Sequence, residues 1–502
     1  MTLGFKIAET THIYNSVVNT LKNAGFRIVG PNSSKWNVMW TGQTKPEHMK
    51  DATRYQKINH FPQSFQIGRK DLMWKNLSRM RRVFQEYNFC PKTYLFPDDY
   101  RKFVMDRENE NYKHMYIMKP SASSCGRGIK VVGCKQEVKR KPGYVVSQYV
   151  SNPHLIHGFK YDLRIYALVS CFDPLKIYLM KEGLVRFATQ KYTNSQKATD
   201  RKYVHLTNYS INKKNEEYVK NTGANGGKAD DEGEEENASK WNLAQLKNYF
   251  EKSGINYQAV LSRIKDVIIK SLISIEPHIV STMSRCTKHR NVCFELYGFD
   301  ILLDNKLKPW LLEVNISPSL SSSSPLDKKI KTVLICDTLN LVGTYPYDRK
   351  QYEKETEQSM KKRLLGLDRQ QSKESENMLN ELPADTYLGK LMRQLCKTDA
   401  DFCSEDDLSI ILDFEEEQFR LGNFEKIFPC INNVNYYNQF FEYSRHANNL
   451  LLRYLTIISP KLNQHHLCYV PSSNSVMLPG NSLKQSNAKS KATAKQANYG
   501  KA

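Results

Sequence analysis

Two apolar-rich runs, Cys293 to Asp304 and Pro309 to Asn315, flank the short stretch Asn305-Lys306-Leu307-Lys308, a pattern that predicts a β-hairpin with a polar loop. Side chains alternate faces along a strand, so Glu313 and Asn315 leave one side of the second strand. A loop of those four residues sets Asp300 directly across from Glu313. Ile301, Leu303, Leu312 and Val314 between them are apolar, which argues for a packed sheet over a hairpin whose polar positions merely face water. Two carboxylates and an amide oxygen on one sheet face make an all-oxygen site suited to Mg²⁺, an ion that also takes ligands from nucleotide phosphates. The hairpin points to ATP chemistry.

With 502 residues the chain is long enough for two or three domains. No apolar run approaches the length of a membrane span, and the N-terminus lacks a signal-peptide pattern, so a soluble intracellular protein is expected. Eleven cysteines without a CxxC pair or a Cys/His metal spacing read as free thiols, mostly small buried hydrophobes. Lys and Arg total 74 against 52 Asp and Glu, a formal charge of +22 that favours polyanionic partners. No zinc-finger, RNA-recognition or basic-zipper pattern accompanies that charge, which excludes dedicated reading of nucleic-acid sequence.

The expected organisation is α/β (α+β): an N-terminal α/β domain over residues 1–110, a catalytic region over 111–345, a mostly helical appendage over 346–471 and a disordered basic tail over 472–502. Within the catalytic region the stretch 221–239 is rich in Gly, Asp and Glu and reads as a flexible acidic insert. Helical periodicity is expected at Leu243 to Phe250, from Val260 to Val280, from Glu353 to Arg369 and from Leu408 to Phe424.

Three further segments carry candidate chemistry. Tyr116 to Pro120 reads as a strand ending near Lys119, followed by a small-residue loop with Gly126 and Gly128, where backbone amides can close on phosphates while the lysine supplies a point charge. The spacing is not that of a P-loop. Lys160, Asp162 and Arg164 occupy alternate positions and share one strand face, with Leu163 and Ile165 turned to the core, either as a surface ladder or as the lining of a charged site. His205 to Lys213 is a polar cluster that can donate and accept at several points, or form an ordinary turn.

In chain order, Met118-Lys119-Pro120, Gly126-Arg127-Gly128, Gln148-Tyr149-Val150, Lys160 to Arg164, Glu182 to Ala188, His205 to Ser210, Gly298-Phe299-Asp300 and Leu312 to Asn315 together resemble the tubulin tyrosine ligase-like enzymes. The resemblance covers about residues 30 to 345, and Asn315 to Leu320, Ser324 to Asp327 and Phe424 to Pro429 look most like the tubulin polyglutamylase 4 subgroup. It implies an ATP-grasp-like catalytic domain. By the same resemblance Lys119, Gly126, Gln148, Tyr149, Val150, Ser151, Lys160, Tyr161, Asp162, Thr207 and Asn208 would meet ATP. Arg186, Ser210 and Lys240 would hold free L-glutamate, Asp300, Glu313 and Asn315 would ligate Mg²⁺, and Arg164 with Glu313 would serve catalysis.

The activity so implied is an ATP-dependent polyglutamylase that joins the γ-carboxylate of an acceptor glutamate in tubulin tails to the α-amine of free glutamate through an acyl phosphate. Alternatives are a glutamylase of another acidic protein and a catalytically weak microtubule-binding protein. The implied setting is cytoplasmic, on the cytoskeleton, with cilium or basal body as further places, and the chain is expected to act as a monomer. Cys125 stands where initiating relatives generally carry Arg and elongating ones Gln, which leaves initiation against elongation open.

Overall fold

The computed structural model describes residues 3–8, 12–123, 126–195, 199–219, 238–365 and 405–458. Cys125, residues 221–237 of the expected acidic insert, residues 366–404 and 459–471 of the expected appendage, and the expected tail at 472–502 lie outside these.

The chain opens with four short parallel strands, β1 (Gly4–Ile7), β2 (Arg27–Ile28), β3 (Val38–Trp40) and β4 (Lys57–Ile58), in the order β2-β1-β3-β4. A second, antiparallel sheet follows from β5 (Thr93–Phe96), β6 (Tyr116–Pro120), β7 (Lys130–Val132) and β8 (Tyr144–Gln148), ordered β5-β8-β6-β7. The helix Tyr100–Asn109 packs Phe103 against Tyr94, Phe96 and Tyr116 of this sheet. Across the boundary expected at residue 110, β5 and this helix pack as one small lobe with the strands after it.

The central sheet is built on the 14-residue strand β10 (Phe159–Phe172), which is preceded by β9 (Leu155–Ile156). β11 (Leu175–Met180), β12 (Leu184–Lys191), β13 (Lys240–Asn242), β14 (Glu295–Leu303) and β15 (Pro309–Asn315) complete most of it. Leu163 pairs with Val185 and Ile301, and Ala167 with Leu179 and Tyr297, so β14 runs along one edge of β10 while β12 and β11 share the other. The turn between β11 and β12 passes so close to β10 that a Cβ on Gly183 would lie 2.6 Å from the Arg164 carbonyl oxygen.

The two faces of β10 explain where a site can form. Tyr161, Leu163, Ile165, Ala167 and Val169 enter the main core, packed with helices Leu243–Lys252, Tyr257–Ile273 and Glu276–Cys286. On the opposite face Tyr166 and Leu168 are covered by β1, β3 and the helix Pro325–Leu341, whereas Lys160, Asp162 and Arg164 lie beyond that cover. The long apolar run expected from Val260 to Val280 is two helices, broken at Ser274 and Ile275, since Pro277 opens the next helix without an N–H to donate.

The last described segment, expected as a mostly helical appendage, contributes one strand to the central sheet. The helix Glu405–Phe419 ends before β16 (Phe424–Phe428), which pairs with β11 and extends the central sheet. Glu417 on this helix accepts from Lys176 (2.7 Å), Ser170 (3.1 Å) and Tyr178, all on β10 or β11 and all buried. Burial disfavours the charged Lys176, yet the Glu417 carboxylate raises its pKa above the ordinary value. Replacing Glu417 by Ala strands that cation in the core and is expected to cost about 3–5 kcal/mol, measured by denaturant titration.

Four of the six described free cysteines are buried, and Cys430 is disulfide-bonded, an exception to the expected free thiols. Among the described residues no helix is long and apolar enough to cross a membrane.

Candidate active site

The hairpin places Asp300 opposite Glu313 and Gly298 opposite Asn315, but by a different route from a four-residue loop. The ladder closes at Leu303 and Pro309, and the Asp304 carboxylate accepts from the backbone N–H of Lys306 (2.9 Å) and Lys308 (3.0 Å) and from the Trp310 indole (2.9 Å). This five-residue loop alone shifts the register by one. A bulge at Leu312 restores it, so that Asp300, Glu313 and Asn315 share a face while Leu311 and Val314 both reach the core.

A cleft separates the small antiparallel sheet from the central one. Its upper wall carries Ile117 and Lys119 of β6 and Val145, Ser147 and Gln148 of β8. Its floor carries Lys160, Asp162, Asp300, Leu302, Leu312 and Glu313, and one side is closed by Thr207 and Asn208. Tyr149 and Val150 line the hinge between the lobes. The Gly126 turn lies against Asn208, since a Cβ there would come within 3.3 Å of that side chain, and Gly126 takes the left-handed φ of +71°.

Three expected nucleotide residues are outside the cavity lining: Gly126, which lies beside Asn208, with Tyr161 and Ser151. Tyr161 turns into the main core with its hydroxyl 2.9 Å from His154, because the alternation that exposes Lys160 and Asp162 must bury it. Ser151 is outside the cavity lining, and its carbonyl accepts from the Tyr192 hydroxyl at 2.7 Å.

The electrostatics are built from opposed buried charges. Lys160 donates to the Tyr149 hydroxyl (2.8 Å) and the His205 carbonyl (3.1 Å), and burial lowers its pKa to about 7, against the pull of Asp162. Burial also lowers Lys119, although Glu313 opposes the shift. Arg186 on β12 donates to Asp162 and reaches Asp300 at 2.8 Å, and Arg164 grips Asp300 at 2.5 and 3.1 Å. Burial works to raise the Asp300 pKa, but the two guanidiniums overcome it and hold the carboxyl well below the usual range. Gly298 makes room for this, since a Cβ there would meet Pro318 at 2.9 Å and Arg164 at 3.2 Å.

Lys240 pairs in register with Arg186 across β12 and β13, donates to Ser323 and Asp327 at 2.9 Å each, and lies 4.1 Å from the Tyr209 ring centroid. Ser210 follows Tyr209 on the short helix Tyr209–Asn212. Arg186, Ser210 and Lys240 are outside the lining of this cleft, and Arg186 is joined to it through Asp162 and Asp300. Sequence reasoning missed Lys70, which lines the cavity at the start of the helix Lys70–Val83, 3.2 Å from Glu313 and 3.0 Å from the Ser123 carbonyl. It also missed Lys331, whose pKa burial lowers to about 8 beside Asp327. Neither has a sequence signal beyond a charged residue on an amphipathic helix.

Asp300 and Glu313 are cross-strand neighbours, and Asn315 donates its amide nitrogen to the Gly298 carbonyl (3.2 Å), which leaves Oδ1 as its donor to a cation. A hard, oxygen-seeking divalent cation fits this set. Lys119, Lys160 and Lys70 around it suit a polyphosphate.

The pattern of the tubulin-tyrosine ligase family matches residues 47–352, more than half of the chain. The chain belongs to that family. It is 38% identical over 476 residues to the tubulin monoglutamylase TTLL4 of Homo sapiens, covering 89% of this chain and 37% of the relative. The tubulin polyglutamylase TTLL5 of Mus musculus is 35% identical, with 89% and 34% covered. The tubulin polyglutamylase ttll-4 of Caenorhabditis elegans is 34% identical over 451 residues, covering 88% of this chain and 71% of the relative. The chain thus spans little more than a third of the mammalian relatives' length. As in the tubulin-tyrosine ligase family generally, the fold is ATP-grasp-like, with two sheets facing each other across the cleft.

Proposed function

We propose that the chain is an ATP-dependent glutamylase of tubulin tails, using free glutamate as the incoming amino acid. The observation that carries this reading is the opposed Asp300 and Glu313 pair on the floor of a cleft whose other groups include Lys119, Lys160 and Lys70. The printed activities of the relatives support the choice of tubulin and glutamate.

The nucleotide's ring would lie between Ile117 and Val145 above and Leu302 and Leu312 below, with Gln148 to Val150 at its edge. Lys119 and Lys160 would hold the phosphates, and Thr207 and Asn208 offer further hydrogen bonds. Asp300, Glu313 and Asn315 would hold Mg²⁺, which supplies charge neutralisation at the transferring phosphoryl group.

The acceptor γ-carboxylate takes the phosphoryl group, and the amine of free glutamate then displaces phosphate from the acyl carbon. Arg164 lies against Asp300, where it can meet charge building on the acyl phosphate. Arg186 and Lys240 form the cationic zone beyond Asp162 that suits the two carboxylates of free glutamate. The chain's formal charge of +22 favours encounter with the acidic microtubule face.

Incubation with ATP, Mg²⁺, labelled glutamate and microtubules is expected to add glutamate masses to tubulin tails, read by mass spectrometry. That readout also gives chain length and the α or β acceptor. Absence of label on tubulin, with label on another acidic protein, would move the substrate to that protein. Lys240→Ala is expected to raise the glutamate KM about 10- to 100-fold, the worth of one charge-assisted contact, with the ATP KM little changed.

A further inference from the structure

We propose that His60, clamped between Glu295 and Ser317, is a positioning residue for the strap Asn315–Ser324, and through it for the Asn315 cation ligand. The inference rests on the glutamylase reading only for the activity it modulates. Glu295, fully buried at the start of β14, has both oxygens engaged. Oε1 lies 2.6 Å from His60 Nδ1, and Oε2 accepts from the Phe61 backbone N–H and the Tyr297 hydroxyl at 3.0 Å each. A carboxylate can only accept, so the proton at this contact sits on Nδ1, and Nε2 faces the Ser317 hydroxyl at 3.2 Å. The base of the chain is rigid, because Ile58 and Phe294 exchange backbone hydrogen bonds with the β14 approach and with β4, and the Thr44 hydroxyl caps the His60 carbonyl.

The far end of the chain of bonds is different in kind. Ser317 is exposed, and beneath the strap lies a cavity of about 100 Å³ lined by Tyr14, Trp40, His60, Ile316 and Leu320. Ile316 and Pro318 on either side are packed, and the hydrogen bond to His60 is the side-chain contact that fixes the exposed Ser317 between them. Ser317 lies two residues after Asn315, and Pro318 packs over Gly298 beside Arg164. Further along, the Ser321 carbonyl accepts from Lys331 and the Ser323 hydroxyl from Lys240. The strap thus runs from the cation ligand to the cationic zone beyond Asp162, and His60 pins it next to the ligand. A nucleophilic role for Ser317 is disfavoured because Pro318 removes the following N–H that would stabilise an oxyanion.

Ser317→Ala and His60→Asn, the latter retaining a donor toward Glu295, both cut the same bond. Each is expected to lower kcat for glutamate transfer about tenfold and to raise several-fold the Mg²⁺ concentration needed for half-maximal ATP binding. Metal-free ATP affinity should stay within about twofold. The double variant should be no worse than the worse single, and Ser317→Thr, which keeps the hydroxyl, should restore both readouts. A Ser317→Ala protein with wild-type kcat and Mg²⁺ requirement overturns the proposal, as do losses that multiply in the double variant. Because Ser317 is exposed, its variants are expected to fold even if those at His60 do not. Wild-type protein that transfers no glutamate counts against the glutamylase reading alone, since the Mg²⁺ titration of ATP binding still tests the strap.

Discussion

Glu313→Gln is expected to reduce glutamate transfer by about 10³-fold, the loss of roughly 4 kcal/mol of transition-state stabilisation. The substitution keeps the shape of the side chain and removes one of the two opposed carboxylates. What remains is Asp300, already shared by Arg164 and Arg186, and a neighbourhood dominated by Lys70 and Lys119. A divalent cation then faces more positive than negative charge. Metal-free ATP, in contrast, loses a repulsive neighbour, so its affinity should be retained or improved. The paired measurement is mass spectrometry of treated tubulin and titration of ATP with and without Mg²⁺. A variant that transfers within a few-fold of wild type would show that the cross-strand pair is not the cation seat.

Nucleotide binding is expected to take up a proton above neutral pH, and the group responsible is Lys160. Burial lowers its pKa from 10.5 to about 7 in the free protein, with Asp162 opposing the shift and Lys119 adding to it. Phosphate oxygens favour the charged ammonium and raise the value again. ATP affinity should therefore be level below about pH 6 and fall above pH 7, by up to about tenfold per unit until the bound-state value is reached. The sign for stability follows from the same pair of values. Between about 7 and 10.5 the unfolded lysine holds a proton that the folded one has released, so this group makes stability rise with pH across that window. Calorimetric titration of ATP at pH 8 in buffers of different ionisation heat measures the uptake directly. Lys160→Met should abolish it and weaken ATP by about 10- to 100-fold. No proton uptake in the wild type would remove Lys160 from the phosphate site.

The alternation of Lys160, Asp162 and Arg164 with Leu163 and Ile165 was legible because a period of two is local, and a strand with one buried face has no other way to sort such residues. Tyr161, grouped with the nucleotide residues by the family resemblance alone, lies on the other face of the strand. The opposition of Asp300 and Glu313 was legible as well, although by two compensating errors. The Asp304 carboxylate gathers a five-residue loop, and the bulge at Leu312 returns the register, neither of which a hydrophobic pattern reports.

Other features had no local trace. β16 was hidden at the end of a helical pattern, because its five residues become a strand only by completing the edge of β11. Lys70 sits on a helix where a charged residue ordinarily faces water, and only the distant hairpin sets it beside Glu313, whereas Lys331 pairs with Asp327 one turn away on its own helix and tertiary packing supplies only its burial. Sequence alone determined what depends on neighbours one to four residues away: strand faces, the hairpin, the helical segments and the motif set of the family. Tertiary structure decided what depends on groups brought together over hundreds of residues, including the lobe boundary, the pairing of Arg164 and Arg186 with Asp300, and the chain from Glu295 through His60 to Ser317. The physical reason is that charge and burial act through space, and their strength is set by the low-dielectric surroundings that only the folded chain creates.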